Sequence, residues 1–245
     1  MCGRFVLHRP LRDWTQQLML PPVTEDDFPF QWPPQYNIAP TMEVMTVFRD
    51  HEVGKTPIVF PHRWGLVPFW ADDVKIGNRM INARSETAFE KPAFRAAFKR
   101  RRCLIPADGY YEWKKTSDGK QPYYIHDAGD RLIAMAGLWE ENHKVNPSGD
   151  PLRTCTILTT SANSITGQVH DRMPVVIGDD DFDAWLDPDN NDTQSLRALM
   201  KPAADDAMTL HAVTKSVGNV RNQGPGLIRP LGNDQDREIE NQTDA

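Results

Sequence analysis

The residues best suited to covalent chemistry stand at the start of the chain, which reads Met1-Cys2-Gly3-Arg4. The small side chain at position 2 favours removal of Met1, and a freed Cys2 carries both a thiol and an α-amine. The amine titrates near pH 7.7–8.0, and Arg4 is expected to lower the pKa of the thiol. Such a 1,2-aminothiol can condense with an aldehyde to an imine and then close into a five-membered thiazolidine. A frayed terminus without chemistry is the alternative.

A carboxylate and a histidine could supply the proton transfers that this condensation needs. Glu112 lies among the aromatic residues 110–113, where desolvation is expected to raise its pKa. His170 is followed by Arg172 at strand spacing, which predicts that both lie on one face. A histidine titrating near pH 6.5 could protonate a sugar ring oxygen or hold a phosphate. A strand glutamate paired with a neighbouring lysine and a structural histidine remain the alternatives.

Further side chains could position a sugar–phosphate ligand. Asn82 and Arg84 are two residues apart, so an extended stretch places both on one face. Asn82 could orient the sugar or the amine, and a turn asparagine is the alternative. Trp70 and Pro40 stand in loops where they could stack on bases or wedge against them.

The charge is unevenly distributed along the chain. The formal net charge of −6 argues against a protein that coats nucleic acid indiscriminately. Residues 79–115 nevertheless hold ten basic and four acidic side chains, whereas residues 179–192 and the tail after Leu231 are acidic. The basic run 99–102 is expected at a solvated helix end, where it could add non-specific attraction for phosphates. This asymmetry suits a protein that binds a polyanion at one face.

Three cysteines without CxxC spacing argue against both a disulfide framework and a zinc site. Cys103 and Cys155 lie in apolar stretches and are expected to be inert core residues. No nucleotide-binding, metal-binding or paired-carboxylate motif occurs, so no cofactor or metal is expected. Without a leader or an apolar run of membrane-spanning length, the chain is expected to be soluble, monomeric and cytoplasmic, or nuclear in a eukaryote.

Hydrophobic periodicity predicts an α+β fold, a single domain built on antiparallel, barrel-like β-sheet with flanking helices. The expected domain covers residues 1–230 and the acidic, disordered tail covers 231–245. Residues 21–35 are expected to be a loop, and Trp64 a core residue. Helices are expected at 10–22, Ala93–Lys99, Asp181–Leu186 and Thr193–Met200. Strands are expected at Met42–Phe48, 56–60, Arg102–Ala107, Gly109–Trp113, Tyr123–His126, Leu132–Leu138, Arg153–Thr159 and Met208–His211.

Six short motifs in a fixed order give the chain a family resemblance from residue 2 to about residue 226. They are Cys2–Phe5, Tyr36–Pro40, Trp64–Pro68, Asn82–Thr87, Ile105–Trp113 and His170–Pro174. Together they resemble the SRAP (SOS response-associated peptidase) family, whose members process abasic sites in single-stranded DNA.

The resemblance implies a covalent crosslink between Cys2 and the ring-opened abasic sugar. It implies that Cys2, Asn82, Glu112 and His170 are catalytic, with Glu112 as the acid or base of crosslink formation and reversal. A strand-cleaving lyase step and removal of Met1 by the protein itself are compatible with it. The partner would be single-stranded DNA containing abasic sites, and the residues expected to contact it are Arg4, Pro40, Trp70, Arg84 and Arg172.

Two other classes of function stay open at this point. An N-terminal cysteine also serves as the nucleophile of amidohydrolases and peptidases. A non-covalent single-stranded DNA-binding module would use the same motifs for stacking and phosphate contacts alone. The crosslinking hypothesis requires an accessible amino terminus close to Asn82, Glu112 and His170.

Overall fold

Strands dominate the computed structural model, which describes residues 2–21, 32–52, 54 and 56–232. The strands are β1 (Phe5–Leu7), β2 (Gln35–Ile38), β3 (Glu43–Phe48), β4 (Ile58–Trp64), β5 (Asn82–Arg84), β6 (Arg102–Ala107), β7 (Gly109–Thr116), β8 (Gly119–Asp127), β9 (Ile133–Asn142), β10 (Leu152–Ser161), β11 (Arg172–Pro174) and β12 (Met208–Ala212). The helices are α1 (Leu11–Gln17), α2 (Arg95–Arg100), α3 (Phe182–Leu186) and α4 (Thr193–Leu199).

Five of these strands close into a barrel in the order β4, β3, β6, β9 and β10, because β10 pairs with both β9 and β4. The β4–β10 pair is parallel and the other four pairs are antiparallel. The short strands β5 and β11 both pair with the end of β10, at Thr159 and the residues beside it. A closed barrel leaves few strand edges unpaired, and its interior is filled by apolar side chains.

A second, antiparallel sheet has the strand order β12-β8-β7-β1-β2. Its inner strand β1 holds the amino-terminal segment between β2 and β7. The sequence therefore builds the α+β fold expected of it, with antiparallel barrel-like sheet and a few flanking helices. No helix of the described residues is long and apolar enough to cross a membrane.

The longer elements lie where the sequence predicts them, with shifted ends. Strand β4 extends to Trp64 rather than ending at residue 60, and α1 is confined to Leu11–Gln17. Strand β9 continues through Asn142, four residues beyond the end expected at Leu138. Trp64, Cys103 and Cys155 are fully buried, as predicted. Most of the loop expected at 21–35 and of the tail expected at 231–245 lies outside the described residues, so the domain boundary stays a prediction.

The chain leaves β4 through a close contact between two glycines. Gly65 has a φ of +125°, and a Cβ atom there would lie 2.7 Å from the Gly77 carbonyl oxygen. Glycine tolerates both the left-handed backbone and the close approach. The Gly65 N–H donates to the carbonyl of Cys155 at 2.9 Å, and the Val67 N–H donates to Thr154 Oγ1 at the same distance. The segment that follows β4 is thereby fixed against β10.

His62 of β4 is fully buried among aromatic side chains between β3 and β9. His62 lies 5.2 Å from the ring of Phe48 and 5.6 Å from that of Trp139. The hydroxyl of Thr46 donates to the Phe60 carbonyl at 2.8 Å, so its oxygen accepts from His62 Nδ1–H at 2.7 Å. Nε2 is buried and has no hydrogen-bond partner among the described residues. Burial lowers the pKa of His62 to about 3.

We expect His62 to destabilise the fold as the pH falls. Below the usual histidine pKa of 6.5, the unfolded chain binds a proton that folded His62 does not bind until about pH 3. As the pH falls, the wild type should lose up to about 1.4 kcal/mol of unfolding free energy per pH unit through His62, and His62→Phe should not. Urea denaturation between pH 4 and pH 7 measures this slope.

The exposed His143 provides the control, because His143→Gln removes a surface histidine without altering the core. Parallel pH profiles for His62→Phe and the wild type would contradict this account of His62.

Candidate active site

The amino-terminal segment is fixed because β1 pairs on both sides. Phe5 lies opposite Tyr110 of β7, and the Tyr111 N–H donates to the Arg4 carbonyl at 2.9 Å. Cys2 comes just before β1 and is 0% exposed. The thiol lies 3.9 Å from the Arg4 carbonyl oxygen. The terminus is therefore ordered against β7, which excludes the frayed alternative, and its thiol is enclosed rather than accessible as the hypothesis required.

Asn82 holds the backbone of Cys2 from the other sheet. It is the first residue of β5, which pairs in parallel with β10 so that Asn82 lies opposite Ile157. Its side-chain Nδ2 donates to the Cys2 carbonyl at 2.7 Å. Its Oδ1 is buried and accepts no hydrogen bond from the described residues. Asn82 is thus a strand residue in direct contact with Cys2, which excludes the turn asparagine.

Glu112 is buried in the middle of β7, where it is 4% exposed. Burial raises the pKa of Glu112, and the positive charges of the amino terminus and of His170 act in the opposite direction. Tyr110, two residues earlier on the same face, is also fully buried. Its phenol has a pKa raised well above the usual range by burial, then by Cys2 and Glu112. The carboxyl group therefore belongs to an enclosed cluster, unlike the lysine-paired surface glutamate considered above.

The expected activation of the thiol by Arg4 is wrong for this structure. Burial raises the pKa of Cys2 far above its ordinary value, and the negative charge of Glu112 raises it further. The guanidinium of Arg4 points away and lies 5.9 Å from the ring of Trp113. A cation two residues away in sequence does not stabilise the thiolate because its side chain lies elsewhere.

His170 lies in the turn before β11, so strand alternation does not align it with Arg172 as predicted. Its Nδ1 accepts a hydrogen bond from the Arg172 backbone N–H at 3.0 Å and lies 2.9 Å from a carboxylate oxygen of Asp171. Nδ1 accepts only while unprotonated and pairs with a carboxylate only when protonated, so the two contacts belong to different protonation states. The charge of His170 lowers the pKa of Glu112, which places both in one cluster.

Arg172 already has an anionic partner. Its Nη1 and Nη2 donate to the two carboxylate oxygens of Glu86 at 2.5 and 2.9 Å, and Nη2 also donates to the Thr159 carbonyl. The hydrogen bond from Arg172 lowers the pKa of Glu86. A phosphate at this arginine would have to take the place of a bidentate carboxylate.

Arg4 is engaged in the fold. Its Nη1 donates to Asn37 Oδ1 at 2.7 Å and to the Val217 carbonyl at 2.9 Å, and Nη2 donates to the Gly218 carbonyl at 3.3 Å. Fully buried Asn37 in turn donates to the carbonyls of Val217, Asn219 and Asn222 at 3.0–3.2 Å. The contacts of Arg4 are therefore those of a residue that ties the amino terminus to residues 217–222.

The remaining residues expected to bind DNA lie at the surface. Arg84 is exposed, and within the described part of the chain its side chain makes no hydrogen bond or ion pair. Trp70 is 41% exposed and its neighbour Phe69 is 51% exposed. Pro40 lies half-buried in the turn after β2. In the basic run 99–102, by contrast, Arg102 is buried in β6 and donates to backbone carbonyls.

The structure thus brings Cys2, Asn82, Glu112 and His170 together. A cavity of about 1110 Å³ beside Arg63 and Arg153 includes none of these four residues. Among the residues that the structure describes, no group of three or more histidine, cysteine, aspartate or glutamate side chains could hold a metal ion.

Sequence reasoning missed Asn37, which holds Arg4, and Tyr110, which is buried beside Glu112 and Cys2. It also did not single out the exposed Phe69. Asn37 and Tyr110 lie within the motifs Tyr36–Pro40 and Ile105–Trp113, so their motif positions could have indicated that they lie close to the site. Phe69 directly precedes Trp70, and two adjacent aromatic residues between Pro68 and Ala71 were the signal for an exposed pair.

Comparison with known proteins identifies relatives of this chain. The sequence model of the SOS response associated peptidase (SRAP) family matches residues 1–220. Abasic site processing protein YoqW of Bacillus subtilis is 40% identical over 93% of this chain and 99% of its own length. Abasic site processing protein YedK of Escherichia coli is 31% identical over 94% and 100%. A solved structure from Bacteroides thetaiotaomicron superposes with a TM-score of 0.82 over 94% of this chain and all of its own, at 23% identity. The chain belongs to the SRAP family.

Proposed function

We propose that this protein processes abasic sites in single-stranded DNA by forming a covalent crosslink through Cys2. The observation that carries the proposal is the hydrogen bond from Asn82 to the Cys2 carbonyl, which holds the amino terminus inside a cluster with Glu112 and His170. The names of the family relatives, abasic site processing proteins, support the same activity.

The proposed reaction uses both nucleophiles of Cys2. The abasic deoxyribose opens to its aldehyde, and the α-amine of Cys2 adds to the aldehyde carbon. Loss of the carbinolamine hydroxyl as water gives an imine. The thiol then adds across the carbon–nitrogen double bond, so that a sulfur–carbon bond forms and the thiol proton passes to nitrogen. The product is a thiazolidine, and the whole sequence releases one water.

Glu112 is suited to the proton transfers because its pKa is raised by burial. The carboxylate can accept a proton as the amine adds to the aldehyde, and the protonated carboxyl group can then donate a proton to the departing hydroxyl, which leaves as water. By microscopic reversibility, the same group would assist release of the crosslink. Elimination of the 3′ phosphate from the imine would give a lyase activity at the same site.

This chemistry has two conditions: the enclosed Cys2 must become accessible to the sugar when DNA binds, and Met1 must be removed. While Met1 is attached, the nitrogen of Cys2 is an amide and cannot form an imine. Asn82 holds the Cys2 carbonyl through its Nδ2, and its Oδ1, which accepts no hydrogen bond from the described residues, could accept one from the freed amine. The family name leads us to include self-removal of Met1, with the Cys2 thiol as nucleophile and Glu112 as the acid or base.

Surface residues around the cluster would hold the flanking DNA. Arg84 can meet a phosphate without losing an existing contact, and Trp70 can stack on a base. Arg172 could bind a phosphate only if the phosphate replaced Glu86 as its partner. We therefore assign to Arg172 mainly the role of holding His170 in place through its backbone N–H.

The first prediction concerns the nature of the covalent bond. Incubation with a single-stranded oligonucleotide carrying an abasic site should give a heat-stable shifted band on a denaturing gel. Cys2→Ala should abolish this band because the thiol is needed for ring closure. Cys2→Ser keeps the amine and should give only a heat-labile imine that borohydride traps.

Cys103→Ala is the matched control, because Cys103 is equally buried but lies in β6 of the barrel. It should crosslink like the wild type. A wild-type protein that forms no heat-stable band, or a Cys2→Ala protein that forms one, would rule the proposal out.

The second prediction concerns pH. If Glu112 donates a proton in the rate-limiting step, the crosslinking rate should fall as the pH rises through its raised pKa. Glu112→Gln should slow the reaction by about 10²- to 10⁴-fold and lose this alkaline limb. Single-turnover rates between pH 5 and pH 9 measure both effects, and an unchanged alkaline limb in Glu112→Gln would assign the proton to another group.

A further inference from the structure

The exposed aromatic pair Phe69 and Trp70 occupies the two central positions of a tight turn. The Ala71 N–H donates to the Pro68 carbonyl at 2.9 Å and closes the turn. Both aromatic side chains are about half exposed, at 51% and 41%. Two adjacent aromatic residues at a turn tip cost hydration free energy unless they have a partner.

A buried amide from another strand holds both ends of this turn. Asn142, the last residue of β9, is 0% exposed. Its Nδ2 donates to the Pro68 carbonyl at 2.7 Å and to the Ala71 carbonyl at 2.8 Å. Its Oδ1 accepts from the backbone N–H groups of Lys144 and Val145 at 2.8 and 3.0 Å. The side chain thus uses its full hydrogen-bonding capacity to connect the turn to the end of β9.

Lys144 adds a second contact from the same segment. Its Nζ donates to the Trp70 carbonyl at 3.1 Å and lies 3.4 Å from a carboxylate oxygen of Asp72. The backbone carbonyls of Pro68, Trp70 and Ala71 are therefore all held by residues 142–144, while the aromatic side chains point away from these contacts into solvent.

We propose that Asn142 is a positioning residue that keeps the turn of residues 68–71 rigid, so that Phe69 and Trp70 form a preformed stacking surface for bases next to the abasic site. The inference rests on the proposed function for the identity of the ligand, single-stranded DNA. An aromatic pair on a free turn would have to be ordered when DNA binds, whereas a turn fixed during folding has already lost that entropy. Releasing the turn should therefore weaken the binding of single-stranded DNA without changing the groups that react with the abasic sugar.

The test uses Asn142→Asp in the full chain. The aspartate keeps both acceptor contacts to the backbone of residues 144 and 145 and loses both donors to the turn. We expect about tenfold weaker binding of an undamaged single-stranded oligonucleotide, measured by fluorescence anisotropy, because the released turn must be ordered before bases can stack on it. The crosslinking rate on an abasic oligonucleotide at saturating protein should stay within about twofold of wild type, because Cys2 and Glu112 are unchanged.

Two further variants keep the test informative if Asn142→Asp folds poorly. Lys144→Met, at an exposed position, removes the contact to the Trp70 carbonyl and should weaken binding in the same direction by a smaller factor. Asn146→Ala is the matched control, since the Asn146 amide donates to the Asp150 carbonyl within its own loop and should bind DNA like the wild type. Thermal melts accompany each variant.

Coupling to Trp70 separates positioning from a merely structural role. In a Trp70→Ala background, Asn142→Asp should have little further effect on affinity, because the surface that it positions is already lost. Equal losses in both backgrounds, or unchanged affinity of Asn142→Asp in the wild-type background, would overturn the inference. A wild type that binds undamaged DNA without crosslinking abasic DNA would refute only the crosslinking reaction, whereas absence of any single-strand binding would refute both.

Discussion

The pairing of β1 with β7 is the constraint on which the site depends. Phe5 opposite Tyr110 and the hydrogen bond from Tyr111 to Arg4 set the register of the two strands. Continuing that antiparallel register brings the residues before Arg4 level with Glu112. Asn82 then holds the same segment from the other sheet. The amino terminus is therefore positioned by backbone pairing and one amide, so its chemistry does not rely on the conformational search of a free end.

Enclosure gives this cluster its electrostatic character. Burial raises the pKa of both Cys2 and Glu112, and each negative charge would oppose the other. In a medium of low dielectric constant the charged forms of the thiol and of the carboxyl group are disfavoured. Groups whose charged forms are disfavoured suit a condensation between an amine and an aldehyde, in which an acid donates a proton and water is released. This electrostatic character supports the proposed imine chemistry.

The sequence was informative where the signal is local. The longer strands and the core position of Trp64 were predicted from periodicity and composition. The family resemblance implied a catalytic role for Cys2, Asn82, Glu112 and His170, and the structure places these four residues close together. Strands β1, β2, β5 and β11 have three or four residues each, too few for periodicity to reveal. The pairing of Arg172 with Glu86 and the burial of Cys2 depend on contacts between distant parts of the chain, which no local pattern encodes.

The proposed crosslink requires the amine and the thiol of residue 2 to capture one sugar carbon together. Intact mass spectrometry of the crosslinked product, followed by fragmentation of its amino-terminal peptide, tests this most directly. We predict the mass of the chain without Met1 plus the abasic oligonucleotide less one water, with the sugar on Cys2 and no free thiol there. An adduct on a lysine, or a crosslinked chain that retains Met1, would contradict the account.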